Sequence, residues 1–260
     1  MTSLKFTKRK RYIDNLFIFI KPGKIIELGC GSGFVLQELA KKFKNSLIVG
    51  VDKDNKRLLE AAKLGLRNVL LINSDILKLN LLENQFDTAL LIRVLHEIYS
   101  FNKMKGIKNL FLLVEKILKE NGIFIIEDYV VPKEKIVEIE LKNANAYNKF
   151  SLFIDEYEMR KIKYQKVNDL IKLKLKDALE FLTKYFSIGN THWEFEKKET
   201  HYFFNFNEYQ ALVNKFGFKI KYYKIWQHDF RDIKEIKRDI RPNFDLKEYF
   251  IQLILRLDQK

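Results

Sequence analysis

The stretch that decides the fold runs from Lys24 to Phe34 and reads KIIELGCGSGF. Its first residues, with Ile25 and Ile26, are typical of a buried strand, and the residues from Phe34 onward, FVLQELAKK, are typical of a helix. Between the strand and the helix, glycine occupies alternate positions. Glycine lets the backbone turn sharply and lets a ligand approach without a Cβ in the way. A strand, a glycine-rich turn and a helix in this order predict a nucleotide-type binding site.

The spacing of the glycines distinguishes this turn from the dinucleotide fingerprint G-x-G-x-x-G. Counting from Gly29, the third glycine of that fingerprint would fall on Phe34. The turn instead reads E-x-G-x-G-x-G, with Glu27 two residues before the first glycine. A carboxylate there is unfavourable beside a pyrophosphate but stabilises a cation, and S-adenosylmethionine carries an ammonium and a sulfonium. The stretch resembles the first motif of the Rossmann-like (class I) S-adenosylmethionine-dependent methyltransferases; a glycine-rich turn without a ligand is the alternative.

The composition is that of a globular, thiol-reduced protein. The chain has 260 residues and is 47% hydrophobic, which fits one large domain or one domain with a sizeable insertion. The single cysteine, Cys30, excludes a disulfide framework and a cysteine-based zinc site and agrees with a cytoplasmic location. No metal site is predicted, because the four histidines lack ligand spacing. They are His96, His192, His201 and His228.

The formal net charge of +14 is compatible with an RNA, phosphate-bearing or membrane-surface partner. The interpretation we favour is a lysine-rich surface, because lysines occur along almost the whole chain beside glutamates. RNA remains a possible partner, and the sequence does not determine the oligomeric state.

A short apolar run near the N-terminus, Leu16–Ile20, follows a basic cluster. It is shorter than the core of a signal peptide, roughly 7–15 residues, and far shorter than a membrane span. We therefore expect a soluble, unexported protein without a membrane span. The basic residues, which could contact RNA, are Lys5, Lys8, Arg9, Lys10 and Arg11.

Five apolar runs alternate with helical patterns over the first half of the chain. Near-continuous apolar runs suit parallel strands that are covered on both faces. The alternation predicts an α/β fold with a doubly wound, mostly parallel sheet, whose strands all end at one ligand-binding edge. The predicted strands are Lys24–Leu28, Ser46–Val51, Asn68–Ile72, Phe86–Ile92 and Gly122–Glu127.

Residues 132–200 interrupt this alternation. Apolar side chains from Val167 to Phe186 repeat at spacings of three and four, which predicts helices. We expect a helical cap over the acceptor site, inserted after strand five; an ordinary amphipathic pair packed on the sheet is equally compatible. The predicted Rossmann-like cofactor domain is then 1–131 together with 201–260.

The sheet pattern resumes after residue 200. We expect a helix over 207–216 with Asn207 as its N-cap, a strand over 218–226, a charged loop over 231–241 and a last strand over 249–257. The resemblance implies that this last strand inserts antiparallel beside the sixth and completes a seven-stranded sheet.

The resemblance also implies roles for residues at the strand ends. Glu27 and the glycines would hold the methionine half of S-adenosylmethionine, Asp52 the ribose hydroxyls, and Asp75 the adenine amine. Arg93 and Val94 would face the sulfonium and the acceptor. The implied cofactor-binding residues are Glu27, Gly29, Cys30, Gly31, Gly33, Asp52, Lys53, Asp75, Ile76 and Arg93.

Two alternatives stay open for these acids. Asp52 and Asp75 could each be the N-cap of the following helix, since aspartate is a preferred cap. NAD-dependent dehydrogenases also have an acid at the end of strand two, although Glu27 and Phe34 disfavour that class. Three acids at the ends of three successive strands favour the ligand interpretation.

Candidate catalytic residues follow strands four and five. A base is needed only where the nucleophile must lose a proton, as in a hydroxyl or a carbon acid. By position the candidates are His96, Glu97 and Tyr129, and a packed, hydrogen-bonded histidine is the alternative for His96. The loop Gly189–Glu194, with His192 and Trp193, could close over an acceptor, although a turn anchored by a buried tryptophan is favoured.

The acceptor class is indicated mainly by a missing motif. Methyltransferases that act on base or glutamine amino groups often carry Asn/Asp-Pro-Pro-Tyr/Phe after strand four, and this chain has Arg93-Val94-Leu95-His96 there. The sequence therefore predicts methyl transfer from S-adenosylmethionine, with S-adenosylhomocysteine as product, to oxygen or carbon of a small molecule. The alternatives are an RNA-modifying methyltransferase and a non-catalytic cofactor-binding partner subunit.

Overall fold

The computed structural model describes residues 15–230 and 232–257. The N-terminal basic cluster lies outside the described residues, whereas the short apolar run Leu16–Ile20 lies within them. That run packs into the core through Leu16, Phe17 and Ile20. Within residues 15–230 and 232–257, no helix combines the length and apolar character that a membrane crossing requires.

Seven strands form the main sheet. Neighbouring side chains of the first strand enter opposite apolar clusters, Ile25 on one face and Ile26 on the other, as expected for a strand buried on both sides. The strands are β1 Lys24–Leu28, β2 Leu47–Asp52, β3 Val69–Asn73, β4 Phe86–Ile92, β5 Leu118–Tyr129, β9 Phe218–Asp229 and β11 Lys247–Leu257. Their order is β3-β2-β1-β4-β5-β11-β9.

The predicted Rossmann-like sheet is confirmed. The first five strands are parallel, and β11 runs antiparallel to both β5 and β9, which agrees with the placement that the resemblance implies. Helices cover both faces. They are α1 Phe34–Lys42, α2 Asn55–Ala62, α3 Leu95–Ile117 and α7 Phe206–Lys215, with a short 3-10 helix at Ile76–Lys78.

The expectation of a helical cap is only partly correct, because the insertion contains strands as well as helices. Residues 132–200 contain helices α4 Ala144–Glu156, α5 Leu175–Lys184 and α6 Trp193–Glu196, but also strands β6 Ile136–Leu141, β7 Tyr164–Val167 and β8 Leu170–Lys174. With β10 Ile240–Pro242, these strands form a second, antiparallel sheet in the order β10-β6-β8-β7. The insertion is therefore a mixed unit with its own apolar core.

The helical prediction fails over 164–174 because one spacing fits two structures. Val167, Leu170 and Ile171 match a helical repeat, yet β7 and β8 form a hairpin whose turn contains Asn168 at a φ of 54°. Along β8 only Ile171 and Leu173 are buried, which is the two-residue period of a strand. The alternation of apolar residues and the asparagine at the turn are the sequence features that favour a hairpin over a helix there.

Three smaller differences concern the C-terminal third. The cap of α7 is Asn205, not Asn207, and it forms a capping box with Glu208. The predicted charged loop contains a helix, α8 Ile233–Asp239. Strand β9 continues to Asp229, three residues beyond the predicted end.

Candidate active site

The glycine turn joins β1 to α1 and needs glycine at each alternate position. Gly29, Gly31 and Gly33 have φ values of 84°, 52° and 83°, a region that side chains with a Cβ rarely adopt. A Cβ on Gly29 would lie 2.5 Å from a methyl of Val94, and one on Gly31 would lie 2.4 Å from the guanidinium of Arg57. The turn is therefore packed tightly against the start of α3 and against α2.

Glu27 is a buried acid, and one of its two carboxylate oxygens has no hydrogen-bond partner among the described residues. It is 2% exposed, and the oxygen without a partner is its buried Oε2. Burial, with a further contribution from the nearby Asp52 charge, raises the pKa of Glu27 well above its ordinary value. A buried acceptor in this state is costly, and a cationic donor beside it would remove the cost.

Asp52 ends β2 and links that strand to the glycine turn. Its Oδ2 accepts from the backbone N–H of Gly31 at 2.7 Å, and its Oδ1 accepts from that of Asp54 at 2.9 Å. The N-cap of α2 is Asp54, so the cap interpretation of Asp52 is wrong. Asp75, by contrast, does cap the short 3-10 helix through Leu77 N–H at 2.9 Å.

The other residues implied for the cofactor differ in exposure. The Cys30 thiol is buried in the core of the α1 face and donates to the backbone carbonyl of Gly31 in the turn at 3.8 Å, and burial raises its pKa. Lys53 is exposed, with its ammonium 5.7 Å from the centroid of the Phe101 ring. Ile76 is buried, at 9% exposure, in the larger core cluster.

Arg93 adopts a left-handed backbone conformation, with a φ of 58°. Its guanidinium carbon lies 3.6 Å from the centroid of the Phe250 ring, and its Nε lies 3.4 Å from Oε1 of Glu127. Glu127 is fully buried, and burial raises its pKa despite the arginine. Arg93 is thus held against β5 and β11.

His96 is paired with Asp128, the residue before the end of β5. Nδ1 of His96 lies 2.7 Å from Oδ1 of Asp128, and the backbone N–H of His96 donates to Oδ2 at 3.0 Å. Burial opposes a charge on the imidazole, but the carboxylate of Asp128 outweighs it and the pKa of His96 is raised. A carboxylate only accepts, so Nδ1 carries a proton and the Nε2 lone pair is presented in the neutral ring.

Two further candidates surround this pair. The ring of Tyr129 lies edge-on to His96, with centroids 5.3 Å apart, and burial raises the pKa of Tyr129 well above its ordinary value. Its hydroxyl therefore stays protonated and is a donor rather than a base. Glu97 lies in the first turn of α3, where its charge helps to raise the pKa of His96.

Sequence reasoning missed two residues of this cluster, Glu199 and His201. One side-chain ligand atom from each, together with one from His96, all lie within 4.8 Å of one another. The ring of His201 stacks on Tyr129 at 4.5 Å and 12°. Burial raises the pKa of Glu199 to about 7 and lowers that of His201. No local pattern links positions 96 and 199, because only the path of the insertion brings them together.

The predicted loop around Trp193 does not reach this cluster through its aromatic ring. Trp193 is buried in the core of the insertion, at 3% exposure, and its indole N–H donates to Oε2 of Glu156 at 2.7 Å. His192 is exposed. The favoured interpretation, a turn anchored by a buried tryptophan, agrees with these contacts.

Comparison with known proteins identifies the family of the chain. A family model described as a methyltransferase domain matches residues 21–208. The chain is 26% identical over 145 residues to malonyl-[acyl-carrier protein] O-methyltransferase of Legionella pneumophila, covering 55% of this chain and 49% of that protein. It is 27% identical over 146 residues to ribosomal RNA small subunit methyltransferase A of Mycoplasma mycoides, covering 54% and 50%. The chain thus spans about half the length of these curated relatives.

The fold agrees with solved structures over nearly the whole chain. An S-adenosylmethionine-dependent methyltransferase from Mesorhizobium loti matches with a TM-score of 0.55 at 17% identity, covering 95% of this chain and 96% of that one. This solved structure shares the Rossmann-like fold of this chain. The chain belongs to the methyltransferase-domain family, as the resemblance of its first motif predicted.

Proposed function

We propose that this protein transfers the methyl group of S-adenosylmethionine to an oxygen or an acidic carbon of a small molecule. The His96–Asp128 pair carries this proposal. An amine nitrogen already has a lone pair, whereas a hydroxyl or a carbon acid must lose a proton before it attacks. A buried imidazole oriented by a carboxylate through Nδ1 is suited to take that proton at Nε2.

The cofactor would lie across the ends of β1, β2 and β3. Glu27, with its unsatisfied Oε2, would accept from the ammonium of the methionine half. Asp52 would accept from the ribose hydroxyls in addition to the backbone N–H groups of Gly31 and Asp54. Asp75 keeps capacity for the adenine amine while it caps the 3-10 helix, because a carboxylate has about four acceptor sites. This site leaves the sulfonium near Arg93 and Val94.

The reaction requires little from the protein beyond the alignment of the reacting atoms. The acceptor O–H or C–H loses its proton to His96, the new bond to the methyl carbon forms as the S–CH3 bond breaks, and S-adenosylhomocysteine leaves. The sulfonium is already an activated leaving group, so the main contribution of the protein is to hold nucleophile, methyl and sulfur in line.

Burial of the site favours a small acceptor. His96 and His201 are 5% and 7% exposed, and the segment that leaves the insertion closes over them, with Thr200 N–H donating to Ser100 Oγ at 2.9 Å. A nucleotide within RNA would have to be extruded from its chain to reach such a site. The net charge of +14 and the resemblance to a ribosomal RNA methyltransferase keep RNA as the second candidate.

The deciding experiment measures cofactor binding and then follows the methyl group. Calorimetry should give micromolar binding of S-adenosylmethionine and S-adenosylhomocysteine, none of NAD, and loss of binding in Asp52→Ala. Methyl-labelled cofactor is then supplied with two pools from one cell extract, small molecules and total RNA. Label in the small-molecule pool supports the proposal, whereas label in RNA, with a steep salt dependence, contradicts it. Cofactor binding without label in either pool would favour a non-catalytic partner subunit.

A further inference from the structure

We propose that His96, Glu199 and His201 form a binding site for one divalent transition-metal ion, such as Zn²⁺ or Fe²⁺, which holds the oxygen of the methyl acceptor. This inference rests on the proposed methyl transfer to an acceptor oxygen, and it reassigns His96 from the base of that proposal to a ligand of the ion that activates the acceptor. Two imidazole nitrogens and one carboxylate are a donor set that Zn²⁺ and Fe²⁺ bind, whereas Mg²⁺ and Ca²⁺ prefer all-oxygen sites.

The three ligand atoms are close enough to share an ion. They lie within 4.8 Å of one another, and ligand atoms about 2.0–2.2 Å from a tetrahedral metal are roughly 3.3–3.6 Å apart. Small side-chain rotations therefore close the site. The two imidazole rings are nearly perpendicular, at 86° with centroids 5.1 Å apart.

Hydrogen bonds on the far side of each ring fix which nitrogen is available. Asp128 only accepts, so Nδ1 of His96 carries the proton. Thr183 donates its single hydroxyl proton to the carbonyl of Glu180 at 2.9 Å. At 2.9 Å from Nδ1 of His201 the Thr183 oxygen must therefore accept. Both rings then present the Nε2 lone pair, the arrangement that outer partners give to metal-binding histidines.

The anchors of this cluster belong to different parts of the fold. His96 follows β4, whereas Glu199 lies at the end of the insertion and His201 directly follows it. The backbone N–H of His201 donates to Oε1 of the buried Glu180 at 3.0 Å. Glu180 is itself held by ion pairs with Arg160 and Lys184. The position of His201 is thus set by a buried charge network inside the insertion, which gives the cluster a rigid support.

An ion in this position would bind the acceptor oxygen and activate it for methyl transfer. Three protein ligands leave at least one coordination position for an acceptor oxygen. A metal-bound hydroxyl releases its proton to solvent more readily, then attacks the methyl carbon as the S–CH3 bond breaks. No electron is transferred, so the ion acts as a Lewis acid. His96 is then a ligand, and the ion replaces it as the group that makes the nucleophile.

The test uses Co²⁺ as the probe, because its visible absorption reports the ligands around it. Metal-free full-length protein is titrated with Co²⁺, and then with Zn²⁺ in competition, for wild type, Glu199→Gln, Asp128→Asn and the control Glu194→Gln. Glu194 is an exposed glutamate paired with Lys197 in the same segment. Calorimetry with S-adenosylmethionine is run on the same samples, and circular dichroism checks that each variant is folded.

Wild type and Glu194→Gln should take up one equivalent of Co²⁺ that Zn²⁺ displaces. Asp128→Asn, which alters an outer partner, should weaken uptake by about 10–100-fold, and Glu199→Gln, which removes a ligand, by more than that. No uptake by wild type, or uptake that Glu199→Gln leaves unchanged, would overturn the proposal and leave a hydrogen bond between His96 and Glu199 as the explanation of the cluster. Loss of S-adenosylmethionine binding with normal Co²⁺ uptake would instead contradict the proposed function.

Discussion

His96 and Asp128 are joined twice by one carboxylate, through the imidazole Nδ1 at 2.7 Å and the backbone N–H at 3.0 Å. The two residues are 32 positions apart in the sequence. His96 follows β4 and Asp128 lies at the end of β5, and these two strands are adjacent and parallel. This double contact fixes both the start of α3 and the orientation of the ring. Through this contact, the end of β5 would orient the imidazole of His96 toward an acceptor.

Asp128→Asn should therefore impair methyl transfer without impairing cofactor binding. An amide can donate to Nδ1 and favour the other tautomer, so the rate constant should fall by roughly 10²–10⁴-fold. Single-turnover kinetics and cofactor calorimetry on the same variant separate the two effects. An unchanged rate constant would show that the orientation of His96 does not matter for transfer.

Glu27→Gln should weaken S-adenosylmethionine binding and remove its pH dependence. Burial raises the pKa of Glu27 in the free protein, and the cofactor cation would lower it, so binding should release a proton and become tighter as pH rises. Calorimetry in two buffers with different ionisation enthalpies measures that proton. If wild type and Glu27→Gln release the same number, Glu27 does not face the ammonium.

Gly29→Ala should destabilise the fold and abolish cofactor binding. Its Cβ would lie 2.5 Å from Val94, at a φ of 84°. Gly65→Ala is the matched control, because Gly65 also has a positive φ, of 61°, but no atom within 4 Å of the added Cβ. Only the backbone cost of roughly 1–2 kcal/mol then applies to the control. Urea unfolding should show a clearly larger loss for Gly29→Ala, and equal losses would contradict the packing argument.

Glu248→Gln should change how stability depends on pH. Burial raises the pKa of Glu248 to about 7, although Arg93 lowers it, whereas the unfolded value is about 4.3. The folded state therefore binds this proton more tightly, and its contribution to stability is present below about pH 4.3 and is lost as pH rises to about 7. Urea unfolding at pH 5 and pH 8 should show that the variant gains stability relative to wild type at the higher pH. A difference in unfolding free energy between Glu248→Gln and wild type that is the same at both pH values would contradict this prediction.

The sequence by itself determined the Rossmann-like sheet and the acidic glycine turn. Buried parallel strands read as continuous apolar runs, and the turn needs glycine where φ is positive, so both leave local signals at Lys24–Phe34 and in the runs that follow. Placing Glu27, Asp52 and Asp75 near one edge required only the rule that parallel strands end on the same side. The methyltransferase-domain family of the chain follows from these features.

Only the tertiary structure decided the composition of the candidate cluster around His96 and the mixed character of the insertion. The β7–β8 hairpin competes with a helix of the same apolar spacing, and its pairing with β6 and β10 selects the strands. His96 meets Glu199 and His201 across about 100 residues because a buried ion network positions the end of the insertion. Contacts at that separation arise from packing and strand pairing, which a local sequence pattern does not encode.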